Sequence, residues 1–151
     1  MGTNKIIFKN AGLIFTGIVI FFFVMKLLGL DNVSELRFLN FVFVLWGVNN
    51  AIKSNIELNH DNLYLNNFSV GIATSVVGVG FTILGLLLYV GFLQPSFMQV
   101  LENSSFWGSK LTLPLVIFAL AIEGIASSVM CSFVLMQYYK NYKAASNTVV
   151  S

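Results

Sequence analysis

The chain has 151 residues, of which 57% are hydrophobic, 15% aromatic and only 9% charged. An average soluble domain carries about 25% charged residues, so this composition indicates a membrane protein. The net charge of +2 and the scattered positions of the 8 basic residues exclude a nucleic-acid surface, which needs clustered lysines and arginines.

Four apolar segments are long enough to cross a bilayer as helices. A hydrocarbon core of about 30 Å needs about 20 helical residues. The segments that meet this length are residues 10–30, 33–52, 68–93 and 111–139. Lys5 and Lys9 precede the first one, but no small-residue cleavage motif follows it, so we expect it to be retained. The sequence therefore predicts an all-α membrane fold, a single domain built as a four-transmembrane-helix up-and-down bundle.

The three links between these spans differ in character. In the first, Asn32 and Glu35 form a pair like a capping box, which predicts that the second helix starts at once. The second link, residues 53–67, is polar and rich in asparagine. In the third, Pro95 opens a short amphipathic stretch, which predicts an interfacial helix whose apolar side is formed by Phe97, Met98 and Leu101.

The basic residues predict the orientation of the bundle. Four spans place both termini on one side of the membrane, and the excess of lysine and arginine marks the cytoplasmic side. Five lysines fall on the side of the termini: Lys5, Lys9, Lys53, Lys140 and Lys143. Three basic residues fall on the other: Lys26, Arg37 and Lys110. We therefore expect both termini to lie in the cytoplasm.

Small residues mark the expected contacts between helices. In lipid, close packing and polar contacts drive helix association, and small side chains allow the close approach. The third span carries one stripe at seven-residue spacing, formed by Gly71, Ser75, Gly78, Thr82 and Gly85. The fourth span carries a matching stripe, formed by Gly124, Ser128 and Ser132. The many asparagines are most simply explained by codon bias in an A/T-rich genome.

Glu123 is the ionisable residue that lies deepest in an apolar span. It is about 14 to 18 Å from the start of the fourth span, close to the bilayer midplane. An unpaired charge there costs at least about 2.5 to 3.5 kcal/mol, and such groups almost always face the protein interior. We therefore predict a buried polar site, with Lys26 or Arg37 as the cation, or Asn40, Ser75 and Thr82 as neutral partners.

Three roles for Glu123 stay open on the sequence alone. It could be a polar clamp that fixes helix register, a proton or ion site, or a contact with a partner subunit. Transporters usually show interrupted helices, several intramembrane ionisable groups or related halves. Pro95 and Pro114 interrupt no predicted span, so the sequence favours the clamp.

Nothing in the sequence indicates an enzyme, a cofactor or a metal site. His60 and Asp61 are neighbours in the second link, but adjacency gives no nucleophile, base and orienting group. Together with Glu57 they make a weak metal-ligand set, and the simplest interpretation is a solvated loop histidine. The single cysteine, Cys131, excludes an intramolecular disulfide. We expect no catalytic residues, no cofactor and no resident metal.

Three segments carry a resemblance to a known group of proteins: "SELRFLNFVFVLWGVNNAIK", "LQPSFMQVL" and "AIEGIASSVMCSFVLMQYYK". In them the chain resembles small four-span membrane proteins that are common in Bacteroidota and whose function is not established. The resemblance covers residues 6–143. It implies a location in the bacterial inner membrane, the same four-helix plan and a Glu-Gly pair in the last helix, here Glu123 and Gly124. It implies no activity.

These observations favour a non-enzymatic multi-pass protein that serves as an accessory or scaffolding component of a membrane assembly. Its partners would be the lipid bilayer and either another membrane protein or further copies of the chain. The alternative is a small proton- or ion-coupled transporter or channel that uses Glu123.

Overall fold

The computed structural model describes residues 2–30, 38–93, 95–96, 99 and 112–141, and everything stated here about the structure concerns these residues. They form four helices: α1 (Thr3–Leu27), α2 (Asn40–Asn59), α3 (Tyr64–Leu88) and α4 (Leu113–Tyr139). A five-residue π-helical turn, Tyr89–Leu93, extends α3 without a break. The described residues contain no strand, which confirms the all-helical fold class.

Three of the helices are long and apolar enough to cross a membrane. They are α1, α3 with its π-helical turn, and α4, with 25, 30 and 27 residues. At 1.5 Å per residue they measure about 38, 45 and 40 Å, more than the roughly 30 Å of a hydrocarbon core. Their outward faces carry large apolar side chains, among them Phe23, Leu84, Phe118 and Phe133. An apolar surface of this extent suits lipid and would promote aggregation in water.

Helix α2 differs most from the prediction. We predicted a second span over residues 33–52, whereas α2 runs from Asn40 to Asn59, and residues 31–37 lie outside the described part of the chain. The helix continues past residue 52 because Asn55 and Ile56 are buried in the bundle. Lys53 and Glu57 lie on its exposed side. Polar residues therefore form the last two turns, and α2 is not among the helices that qualify as spans by apolar length.

The other helices also extend beyond their apolar cores. Helix α1 begins seven residues before the predicted start, and α3 begins four residues early. The buried Ile6 and Asn67 explain this, because both pack in the bundle although a polar residue precedes each of them, Lys5 and Asn66. The predicted second link, residues 53–67, is therefore wrong, since only residues 60–63 connect α2 to α3.

The chain passes up and down through the bundle. Asn59 at the end of α2 bonds Thr3 at the start of α1, so these helices are antiparallel. Lys26 at the end of α1 bonds Tyr89 at the end of α3, so those two are parallel. We call the end at which α1 begins the terminal end and the other the distal end.

Helices α2 and α3 form the centre of the bundle. They pack against each other and against both α1 and α4, whereas α1 and α4 have little contact. The main apolar core includes Ile14, Val48, Ile52, Cys131 and Met136. The predicted capping box lies outside the described residues. Of the predicted interfacial helix, the structure describes a turn at Pro95 and Ser96, where the Gln99 amide donates to the Ser96 carbonyl at 3.2 Å.

Candidate functional site

Ile14 is the central contact of the bundle. Its side chain is fully buried between Gly47 of α2 and Gly78 of α3. A methyl group at position 47 would lie 2.2 Å from Ile14 Cγ1, and one at position 78 would lie 3.1 Å from Ile14 Cγ2. The lack of a side chain at both glycines therefore makes room for Ile14. The sequence indicated Gly78 through its seven-residue repeat, but Gly47 has no repeat to mark it.

The small residues predicted to pack lie at contacts between helices. A methyl group at Gly71 would lie 2.8 Å from Ser132 Oγ, which joins α3 to α4. One at Gly124 would lie 2.3 Å from Val79 Cγ1, and one at Gly85 would lie 2.9 Å from the Phe15 ring. The stripe on α3 therefore meets α4 at the terminal end and α1 further along.

The buried hydroxyl groups bond their own helices. Ser75 Oγ donates to the Gly71 or Ile72 carbonyl, both at 3.0 Å. Thr82 Oγ1 donates to the Gly78 carbonyl at 2.9 Å, and Ser128 Oγ to the Gly124 carbonyl at 2.7 Å. In these conformations their protons satisfy local backbone oxygens, so Ser75 and Thr82 are not arranged as donors to Glu123.

Glu123 lies on the outside of the bundle. The prediction that its side chain faces the interior is wrong, because the residue is exposed in the structure. The physical reason is its position next to Gly124, which contacts α3 through Val79. Consecutive residues of a helix are about 100° apart, so Glu123 points to the flank of α4 rather than to α3. The depth predicted for it agrees with the helix bounds, since it is about 15 Å from Leu113 and about 24 Å from Tyr139.

Lys26 bonds the π-helical turn at the distal end. Its Nζ donates a hydrogen bond to Tyr89 Oη and stands 5.0 Å from the centre of the ring. Because the hydroxyl lies at the rim of the ring, an ammonium that bonds it at this distance from the centre is near the ring plane, not over the face. The contact is therefore a hydrogen bond between α1 and α3.

Arg37 and Asn40 are the two further predicted partners of Glu123. Arg37 lies outside the described residues. Asn40 is in the first turn of α2, at the distal end, and its buried Oδ1 has no hydrogen-bond donor within the described ranges. The pairing of Glu123 with Arg37 therefore stays a prediction.

Asparagines form a hydrogen-bonded cluster at the terminal end. Asn55 Nδ2 donates to Asn67 Oδ1 at 2.9 Å, which joins α2 to α3. Asn59 Nδ2 donates to Asn55 Oδ1 at 2.8 Å, and Asn67 Nδ2 to the Asp61 carbonyl at 2.7 Å. Asn55 and Asn67 are almost fully buried. Codon bias is therefore an insufficient explanation for these residues, because they hold the turn between α2 and α3.

In the described geometry, the polar residues of the link between α2 and α3 form the turn and do not form a catalytic or metal site. His60 ends α2 in the left-handed conformation, with φ of 52°, and it is exposed. Asp61 accepts hydrogen bonds from the Leu63 amide at 3.0 Å and from Asn66 Nδ2 at 3.1 Å. Glu57 Oε1 lies 3.9 Å from Lys53 Nζ on the surface of α2. In the part of the chain that the structure describes, no three His, Cys, Asp or Glu side chains are grouped to hold a metal ion.

A small apolar cavity lies between α3 and α4 at the distal end. Its volume of about 10 Å³ is close to the minimum that holds one water molecule. It is lined by Leu86, Leu87, Val90, Leu113, Val116 and Ile117. Neither its size nor its lining suits a lipid or a polar substrate.

Comparisons with family models, with curated proteins and with solved structures find no match to this chain.

Proposed function

We propose that the chain is an integral protein of the bacterial inner membrane that acts by associating with protein in the bilayer, as an accessory or scaffolding component. The observation that carries the proposal is the position of Glu123, which is exposed on the outer surface of α4 near the middle of its length. A polar group at that depth is costly against lipid tails and is usually covered by protein.

The interior of the bundle supports the same proposal. Its small residues serve helix contacts, and the hydroxyls of Ser75, Thr82 and Ser128 donate to their own helices. The asparagine cluster closes the turn between α2 and α3. These groups maintain the fold, and they show no arrangement for moving a substrate.

Transport through Glu123 is the alternative, and the geometry favours it less. A coupled transporter binds its ion between helices, typically where a broken helix exposes backbone carbonyls. Here α4 is continuous from Leu113 to Tyr139, and Glu123 lies on its exposed flank. The π-helical turn of α3 lies at the distal end, near Lys26, rather than beside Glu123.

Cross-linking in native membranes tests the proposal. A tagged chain is cross-linked in intact cells, purified in mild detergent and compared with its Glu123→Ala and Ile125→Ala variants by mass spectrometry. We expect a cross-linked species, either a membrane protein or a second copy, that Glu123→Ala loses and Ile125→Ala keeps. A strictly monomeric chain with no specific partner in all three samples would contradict the proposed function.

A further inference from the structure

We infer that, independently of the proposed function, the terminal end of α1 binds an anionic phospholipid whose phosphate group lies between Lys5 and Lys9. Both lysines are exposed. Their spacing of four residues places them one above the other on the same face of the helix, with Cβ atoms about 6 Å apart. Because a lysine carries its charge on a long flexible stem, two ammonium groups at this separation can contact one phosphate together.

The charges of Lys5 and Lys9 are available to a ligand. Within the described ranges, neither lysine has a carboxylate partner. The acidic residues described at the same end are engaged elsewhere, since Glu57 pairs with Lys53 and Asp61 accepts hydrogen bonds at the start of α3. The first turn of α1 contains no acidic residue. An anion therefore complements this end of α1 better than any neighbouring group of the chain.

The depth of the two lysines matches that of lipid phosphates. The apolar run of α1, residues 10–28, spans about 28 Å and fills the hydrocarbon core, beyond which the headgroup layer extends about 5 to 8 Å on each side. Lys9 lies at the boundary of the core and Lys5 about 6 Å further out. Side chains lean toward the amino terminus of a helix, so both ammonium groups point into the headgroup layer.

The surface next to the lysines suits the apolar part of a lipid. Lys5, Phe8, Lys9 and Gly12 are three, four and seven residues apart, so they form one stripe on α1. Phe8 is 59% exposed and offers its ring to an acyl chain. Nothing lies within 4 Å of a methyl group placed at Gly12, which leaves a shallow notch just below Lys9. A phospholipid fills this notch, whereas the contacts of a free phosphate ion would end at the lysines.

Lipid titration followed by native mass spectrometry tests the inference. The full chain in detergent micelles is titrated with phosphatidylglycerol, which is anionic, and with phosphatidylcholine, which has no net charge. We expect the wild type to bind phosphatidylglycerol more tightly. A basic residue near a headgroup contributes a factor of about 5 in affinity, so the double variant Lys5→Gln, Lys9→Gln should bind about 30-fold more weakly.

Lys53→Gln is the matched control, because Lys53 is an exposed lysine at the same end whose Nζ lies 3.9 Å from Glu57 Oε1. Its affinity for phosphatidylglycerol should stay close to that of the wild type. Circular dichroism and unchanged binding of phosphatidylcholine verify that each variant is folded. Equal affinity of the wild type for the two lipids would overturn the inference. So would an unchanged affinity in the double variant, or a loss in Lys53→Gln as large as in the double variant.

Two further measurements identify the ligand and locate its site. An excess of inorganic phosphate should leave the bound phosphatidylglycerol in place, because the ion has no acyl chain to fill the notch. Displacement of the lipid by phosphate would instead indicate a site for free anions and contradict a lipid site. A photoreactive phosphatidylglycerol in vesicles should form adducts on residues 5–16 of α1. Adducts confined to the distal half of the bundle would overturn the inference and leave the proposed function standing.

Discussion

At the scale of single residues, the fit of Ile14 between two glycines is the most demanding contact. Gly47 is the tighter of the two, because a methyl group there would meet Ile14 Cγ1 at 2.2 Å and the Asn10 carbonyl oxygen at 3.3 Å. Ile14 is fully buried, so it cannot swing away into lipid. Helices α1 and α2 would have to separate to admit any side chain at position 47.

Gly47→Ala is therefore expected to destabilise the bundle by about 1 to 3 kcal/mol, the usual cost of overpacking a core. Reversible unfolding in detergent or bicelles measures the loss. Gly80→Ala is the matched control, since nothing lies within 4 Å of a methyl group at that position of α3. Its effect should be neutral or slightly stabilising, because alanine favours a helix over glycine by about 1 kcal/mol. Equal losses in the two variants would contradict the tight contact at Gly47.

The sequence could predict some of these residues and not others. The stripe through Gly71 and Gly78 was predictable because its members recur at helical spacing. Gly47 was not, because an isolated glycine in an apolar helix has no pattern. The direction of Glu123 was predicted wrongly, because composition gives the depth of a residue in a span but not its angle around the helix. That angle follows from the contact of Gly124 with Val79.

At the scale of helices, the asparagine cluster determines where α2 ends and α3 begins. Asn55 and Asn67 form a hydrogen bond that links the two helices in the interior. Removing one partner leaves the other buried with an unsatisfied polar group, which costs about 1 to 3 kcal/mol. Asn55→Leu and Asn67→Leu are each expected to lower the free energy of unfolding by that amount.

The double variant checks the coupling between these two residues. If the hydrogen bond is the cause, the loss in the double variant should be smaller than the sum of the two single losses. Asn66→Ala is the matched control, because Asn66 is exposed and its amide bonds Asp61 at the surface. Strictly additive losses at Asn55 and Asn67 would contradict a coupled pair.

The four long helices of the described residues followed from the sequence, but the bounds of α2 did not. The length of an apolar run locates the part of a helix that lies in hydrocarbon. A helix predicted in this way ends where polar residues begin. In α2 the polar residues continue the helix, because Asn55 and Asn59 bond other polar groups instead of water. Such pairing depends on residues from α1 and α3, which a local reading of hydropathy does not include.

At the scale of the whole molecule, the distribution of polar groups separates a scaffold from a transporter. Coupled transport through Glu123 would require its carboxyl group to exchange a proton or an ion. Purified wild type and Glu123→Gln in liposomes are therefore expected to show the same proton and cation flux as empty liposomes, measured with internal fluorescent indicators. A flux in the wild type that Glu123→Gln abolishes, with the fold intact, would favour the transporter instead.

Helix α2 determines the topology, because it is the most polar of the four and yet packs between the others. The exposed apolar residues Val42 and Trp46 lie in its distal half, whereas the exposed Lys53 and Glu57 lie at its terminal end beside the exposed Leu58. We expect α2 to cross the bilayer, with its asparagines shielded by α1 and α3. The link after α2 would then lie on the same side of the membrane as the amino terminus.

Labelling with a membrane-impermeant maleimide tests this arrangement. Cysteines introduced at Gly2 and Asn62 should react from one side of the membrane, and cysteines at Leu30 and Thr112 from the other. All four positions are exposed, whereas Cys131 is fully buried and should contribute little background. If α2 did not cross, Asn62 would label together with Leu30, because only α1 would separate Gly2 from both. The side on which Gly2 reacts also tests the cytoplasmic placement of the termini that the lysine distribution predicts.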